Sequence, residues 1–204
     1  MRWLKPKLAG HRGIGARSPM RKGVVVASLG CTQILAWGST YYLSAIFADP
    51  VSASLHLSRS WFFGAFSAAL LLSGLLGPLA GRLIDRYGGR AVLAATNAVI
   101  ASGLVLLGLS NGPWTLTASW LVLGIGMGGG LYEAAFATAA GLYGRDARSA
   151  ITGITLLAGF ASTIGWPVSA ALIAAFGWRD AAFAWAGLHV LAGLPMNWFL
   201  IPRR

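Results

Sequence analysis

The chain has 204 residues, of which 56% are hydrophobic and only 10% are charged. Soluble domains carry about 25% charged residues, so the composition excludes an ordinary soluble domain and indicates a membrane protein. The formal net charge is +11. Because so apolar a chain has no soluble face on which nucleic acid could bind, we expect no nucleic-acid partner.

The first 22 residues are basic, contain Gly and Pro, and have no apolar run. We interpret residues 1–22 as a cytoplasmic N-terminal tail that helps to orient the chain. Two alternatives remain open, namely a targeting segment or a true start at Met20, which comes directly before the first apolar run.

Apolar runs long enough to cross a bilayer, about 20 residues each, follow one another through the rest of the chain. Because lipid offers the backbone no hydrogen-bond partner, each run is expected to be a helix. A transmembrane domain of residues 23–204 is predicted, with helices at 24–47, 61–81, 91–109, 114–142, 151–176 and 181–201. The connections are short, so no soluble domain is inserted.

Basic residues alternate between the connections. Of the 16 Lys and Arg residues, 14 precede the first span, lie in the second and fourth connections, or follow the last span, and the other two are Arg59 and Arg179. Cytoplasmic loops are enriched in Lys and Arg. Both termini are therefore predicted to be cytoplasmic, in a multi-pass protein of the inner (plasma) membrane.

A short segment occurs twice. Residues 77–90 (GPLAGRLIDRYGGR) align without gaps on residues 166–179 (WPVSAALIAAFGWR), with five identities in 14 positions. The copies are three predicted spans apart, so they face opposite sides of the membrane, as in the inverted repeats of secondary transporters. A chance match of short apolar segments is the alternative. The identical pairs are Pro78/Pro167, Leu83/Leu172, Ile84/Ile173, Gly88/Gly177 and Arg90/Arg179.

The charged decapeptide GRLIDRYGGR (81–90) resembles the loop motif between spans two and three of the major facilitator superfamily. The matching residues are Gly81, Asp85, Arg86, Gly88 and Arg90. A second segment, residues 143–167, is similar to the entry of the fifth span in monocarboxylate-porter-like members. That similarity rests on Tyr143, Arg145, Arg148, Ala150, Gly153, Ala158 and Gly159.

The resemblance implies a fold and a function. The expected fold is an all-α membrane protein with six transmembrane helices in a 3+3 inverted repeat, half of a twelve-helix fold. The chain would pair with a complementary six-helix C-terminal half. Together they would move a small solute, for example an organic anion such as a monocarboxylate, by alternating access. Asp85 and Arg86 would then hold the two halves together on the cytoplasmic side as part of a gate.

Four residues are candidates for the substrate path. Glu133 lies about 12 residues before Arg145, roughly 18 Å along a helix, and ionisable groups at such depth usually face a cavity and serve a function. Gln33, Trp37 and Tyr41 follow one another at intervals of four and share one helical face. Packing between helices is the alternative role for all four.

Other chemistries find no support in the sequence. One cysteine permits no internal disulfide, and three scattered histidines have no metal-ligand spacing, so we expect no enzyme, metal or cofactor. The fourth predicted span also lacks the arginine that many proton-coupled members of the resembled family carry. Two other functions remain open: a non-transporting membrane protein that partners a full-length transporter, and an inactive truncated remnant.

Overall fold

A computed structural model describes residues 19–203. Residues 1–18, and so most of the predicted tail, lie outside the described part. Residues 19–203 form helices joined by short turns, and no strand occurs among them. The α-helices are α1 (Pro19–Ser39), α2 (Leu43–Ser54), α3 (Arg59–Tyr87), α4 (Gly89–Gly108), α5 (Pro113–Gly130), α6 (Tyr132–Tyr143), α7 (Ala147–Ala158) and α8 (Ala161–Leu188). A 3-10 turn, Gly144–Asp146, precedes α7, and two π-helical segments, His189–Gly193 and Met196–Leu200, follow α8.

The sequence predicts six separate spans. In the described chain, helices that follow one another closely join into four stretches that are long and apolar enough to cross a membrane. They are Lys22–Ser54, Arg59–Tyr87, Gly89–Gly108 and Pro113–Leu200. The last has 88 residues and is interrupted where the backbone leaves helical angles, at Leu131, Gly144 and Gly177.

Two helix boundaries differ from the predicted ones in ways that matter for the site. The first apolar run does not form one helix over 24–47, because α1 ends at Ser39 and α2 begins at Leu43. The second helix runs on to Tyr87, so most of the decapeptide is helical and not a loop. Arg is a good helix former, and Asp, although a poorer one, costs less than about 1 kcal/mol relative to Ala, so charge alone does not end the helix.

Gly88 ends α3. Its backbone angles are φ 83° and ψ 151°, and its N–H donates to the carbonyl of Ile84 at 2.8 Å. This region of backbone conformation is accessible almost only to glycine. The chain therefore turns at Gly88 and re-enters a helix at Gly89.

Glycines set the spacing between helices. A Cβ atom added to Gly124 of α5 would lie 2.5 Å from the carbonyl oxygen of Ala69 in α3, and one added to Gly165 would lie 2.8 Å from the Cα atom of Gly38. One added to Gly89 would overlap the side chain of Thr138. Small residues let membrane helices approach closely, so these positions fix how α5 sits on α3, how α8 sits on α1, and how α4 sits on α6.

Side-chain contacts show which helix ends lie at the same end of the bundle. At one end, Lys22 donates to the carbonyl of Asp146 at 2.8 Å, and the Arg90 guanidinium lies 4.6 Å from the Trp198 ring. At the other end, the rings of Trp61 and Trp114 are 5.6 Å apart. The basic connections thus share one end of the bundle, and the Trp-rich ends of α3 and α5 share the other.

Candidate functional site

A helix break lies beside the candidate residues. The run predicted as one helix over 114–142 is divided at Leu131, whose ψ of −163° is extended. The break leaves α5 with carbonyl groups that have no partner within the helix. Gln33 of α1 supplies one, because its Nε2 donates to the carbonyl of Gly130 at 2.8 Å.

Four aromatic rings meet next to this break, and we call Trp37, Tyr41, Tyr42 and Tyr132 the aromatic cluster. The Trp37 ring lies 5.1 Å from the Tyr132 ring, 5.5 Å from Tyr41 and 6.1 Å from Tyr42. The rings of Tyr41 and Tyr42 are 5.4 Å apart and nearly perpendicular. Tyr41 keeps 40% of its surface exposed, so the cluster opens onto the surface of this chain.

Glu133 follows Tyr132 directly and is exposed in the first turn of α6. A carboxylate there is favoured by the partial positive charge of the helix N-terminus. It lies ten positions before Tyr143 at the far end of α6, about 15 Å along the axis. Since a charged group at such depth is costly against lipid, this face of the chain requires a polar or protein environment.

Two polar atoms in this region are buried and have no hydrogen-bond partner among the described residues. They are the Oε1 atom of Gln33 and the Nε1 atom of Trp37. Buried polar atoms are almost always paired in native structures. The acceptor of Gln33 and the donor of Trp37 therefore require partners beyond the described side chains, or a second arrangement of this region.

The structure brings three of the four predicted substrate-path residues into contact with the break or the cluster, and the fourth, Glu133, directly follows Tyr132 of the cluster in the chain. The regular spacing of Gln33, Trp37 and Tyr41 does not continue along one helix, because α1 ends at Ser39. Instead the N–H of Tyr42 donates to the carbonyl of Trp37 at 3.0 Å. This turn directs two tyrosine rings toward Trp37 where a continuous helix would present one.

The residues of the predicted gate lie elsewhere, at the junction of α3 and α4. Asp85 and Arg86 are exposed in the last turns of α3, and the Arg86 guanidinium lies 5.2 Å from the Tyr87 ring. Gly81 is partly buried within α3, and Gly88 forms the turn. Arg90, also partly buried, packs on Trp198 with an Nε atom that has no partner among the described residues.

A second polar group is fully buried between α1, α4 and the π-helical segments, and of its members the sequence indicates only Asn97, as a weaker candidate. His189 has no exposed surface, its Nε2 lies 2.7 Å from Ser39 Oγ, and its Nδ1 lies 2.8 Å from Asn97 Oδ1. Asn197 joins the same helices, since Thr32 donates to its Oδ1 at 3.3 Å. We call Thr32, Ser39, Asn97, His189 and Asn197 the buried network.

A sequence signal for the buried network does exist. Asn97, His189 and Asn197 are polar residues inside apolar runs, and such residues in membrane helices usually face the protein interior and pair with one another. Asn97 lies 92 positions before His189 and 100 before Asn197, and this separation conceals the pairing. A test of the three histidines for metal spacing alone overlooks it.

Long apolar helices, a helix break and polar side chains between the helix ends are typical of secondary transporters. The chain belongs to the Major Facilitator Superfamily, whose family model matches residues 29–204. Over 94 residues it is also 32% identical to the "Putative sugar transporter ERD6-like 13" of Arabidopsis thaliana. That alignment covers 44% of this chain and 19% of the relative, so it spans about a fifth of the relative's length.

Proposed function

We propose that this chain is one six-helix half of a secondary transporter that moves a small solute by alternating access. Membership of the Major Facilitator Superfamily supports transport in general. The observation that carries the proposal is Glu133, an exposed carboxylate about 15 Å along α6 from Tyr143, a distance at which we place it inside the membrane. A complementary half, with the substrate between the two, would give this face the polar surroundings that lipid cannot.

Two of the three breaks in the last helical stretch support a count of six spans, if the break at Leu131 lies within one span. Gly144 (φ 55°) and Gly177 (φ 83°) divide Pro113–Leu200 into three segments, and three stretches precede it. The matched glycines of the repeated segment support a 3+3 inverted repeat, because Gly177 has φ 83° and ψ 165°, close to the φ 83° and ψ 151° of Gly88. Each also follows a proline within its helix, Pro78 or Pro167.

The matched arginines support the same symmetry. Arg179 donates to the carbonyl groups of Gly108 and Ser110 at the end of α4, at 2.8 and 2.6 Å. Arg90 begins α4 and packs on Trp198, at the end of the last helical segment. In the proposed repeat, α4 is the third span of the first half and the segment after Gly177 is the third span of the second half. Each span begins near one of the two arginines, and each arginine contacts the end of the other span. An internal two-fold relation requires such reciprocal contacts.

We place the end of the bundle that carries Lys22 and Arg90 in the cytoplasm. The basis is the excess of Lys and Arg on that side, together with the contacts that gather these basic connections. Both termini are then cytoplasmic, in the inner (plasma) membrane. Asp85 and Arg86 lie at this end, exposed, and in this proposal they contact the complementary half when the cytoplasmic side closes.

The monocarboxylate expectation remains a prediction that rests on the resemblance of residues 143–167. A carboxylate substrate needs a cation or several donors at its site. The sequence has no Lys or Arg from 23 to 58 or from 91 to 144, the ranges that supply the aromatic cluster and Glu133. Anion transport would therefore depend on basic residues of the complementary half.

Reconstitution tests the half-transporter proposal. The chain would be placed in liposomes alone, or after co-expression with a matching C-terminal six-helix half, and uptake of labelled lactate, glucose and choline would be measured. We expect uptake of one of these solutes with both halves and none with the chain alone. Robust uptake by the chain alone would contradict the half-transporter proposal. Absence of uptake in both, with capture of a full-length transporter that is unaffected by Glu133→Gln, would favour the non-transporting alternative.

A further inference from the structure

We propose that the aromatic cluster and Glu133 form a binding site for a substituted ammonium cation that carries a hydroxyl group. This inference rests on the proposed transport function and names the class of its substrate. It departs from the organic anion that the sequence resemblance implies, and three features of the site support it.

The first feature is the sign of the charge. Glu133 is the only Asp, Glu, Lys, Arg or His residue between positions 91 and 144. Between positions 23 and 58 the charged residue is Asp49, whose carboxylate is engaged by the Arg59 guanidinium at 2.9 Å. These two ranges therefore carry no positive charge and one carboxylate, Glu133, outside the Asp49–Arg59 pair, so the region they form attracts cations and repels anions.

The second feature is the density of aromatic rings. A cation over the face of Trp or Tyr is attracted by the ring's electrons, and groups of such rings bind quaternary ammonium ions. Trp37, Tyr41, Tyr42 and Tyr132 approach one another to between 5.1 and 6.1 Å. Three tyrosines beside one tryptophan supply ring types that bind cations well, and Glu133 directly follows Tyr132 in α6.

The third feature is the pair of buried polar atoms without partners. Gln33 Oε1 accepts hydrogen bonds and Trp37 Nε1 donates them. A hydroxyl group both donates and accepts, so a ligand with one hydroxyl can serve both atoms once the side chains move to admit it. A neutral sugar would also satisfy hydroxyl partners and stack on rings, but it would gain nothing from the negative charge of Glu133.

Choline and its neutral carbon analogue, 3,3-dimethylbutan-1-ol, separate these possibilities because they share shape and hydroxyl group and differ in charge. Binding of labelled choline would be measured to the full chain in lipid nanodiscs, alone and with the co-expressed C-terminal half. The neutral analogue, lactate and glucose would serve as competitors. We expect saturable choline binding, with the neutral analogue weaker by about tenfold or more.

Variants assign the effect to named groups. Glu133→Gln keeps the side-chain shape and should weaken choline binding about tenfold while leaving the neutral analogue unchanged. Trp37→Leu should weaken choline more than the neutral analogue, since it removes a ring face. Asp49→Asn removes a carboxylate outside the site and should change neither. Thermal unfolding of each variant identifies any loss of binding that comes from loss of fold.

Two results would overturn the proposal. One is equal competition by choline and the neutral analogue in the unmodified protein, which needs no variant to interpret. The other is absence of saturable choline binding in both preparations. Uptake of lactate or glucose by the co-expressed halves, without choline binding, would preserve the transport function and overturn the cation site. Choline binding to the co-expressed halves without uptake of any solute would preserve the cation site and overturn the transport function.

Discussion

The buried network and the aromatic cluster are both polar regions of an apolar chain, but they differ in how completely their atoms are paired. In the buried network, both ring nitrogens of His189 have partners, and Asn97 donates in turn to the carbonyl of Leu93 at 2.8 Å. In the aromatic cluster, Trp37 Nε1 and the neighbouring Gln33 Oε1 have none among the described residues.

This difference indicates that the polar groups of the buried network hold the fold together, whereas those of the aromatic cluster bind a ligand. A fully paired buried group stabilises one arrangement of helices, since any other arrangement leaves donors or acceptors unsatisfied. The unpaired atoms of Gln33 and Trp37 can instead be stabilised by hydrogen bonds to a bound ligand. We therefore expect changes in the buried network to act on stability, and changes in the aromatic cluster to act on binding with little effect on stability.

The largest loss of stability is expected from Gly193→Ala. The added Cβ atom would overlap Asn97 Oδ1 and lie 3.0 Å from a methyl group of Leu35, so Asn97 must move and release His189. Overpacking and the lost hydrogen bond together should cost about 2–3 kcal/mol, measured as thermal unfolding in lipid nanodiscs. Gly187→Ala is the matched control, because nothing lies within 4 Å of its new atom. Equal stability of the two variants would show that the network does not hold α4 against the last helical segment.

His189→Leu should have the next largest effect. It fills the imidazole space with an apolar side chain, so Asn97 Oδ1 and Ser39 Oγ lose a buried partner. We expect a loss of about 1–2 kcal/mol, with ligand affinity of the folded fraction unchanged. His56→Asn is the control, since His56 is exposed with φ 53° and asparagine tolerates that backbone. A large fall in affinity with normal stability would instead make the buried network part of the substrate path.

The sequence predicts the positions of the helices around these two regions, but not the helix break or the contacts between their side chains. Apolar length predicts the helices, so α4 (Gly89–Gly108) lies close to the predicted 91–109. Apolar length alone does not place the break at Leu131, although the three glycines before it, Gly128 to Gly130, are poor helix formers. The rings of Trp37 and Tyr132 are 95 positions apart in sequence and meet only through packing. The resemblance of residues 81–90 identifies the family correctly, but it does not reveal that α3 continues to Tyr87.

The smallest effect on stability is expected from Trp37→Phe. The substitution keeps an aromatic ring against Tyr132 and removes Nε1, an atom without a partner among the described residues. No hydrogen bond is lost and a buried unpaired donor disappears, so only the packing of the missing indole atoms is lost, and stability should fall by less than about 1 kcal/mol. Affinity for a hydroxyl-bearing ligand should still fall, since that donor is the one the ligand would use. A stability loss as large as that of His189→Leu, with affinity unchanged, would mean that the indole N–H has a partner in the folded protein and that the aromatic cluster is as fully paired as the buried network. The contrast between the two regions therefore depends on this one nitrogen more than on any other atom of the site.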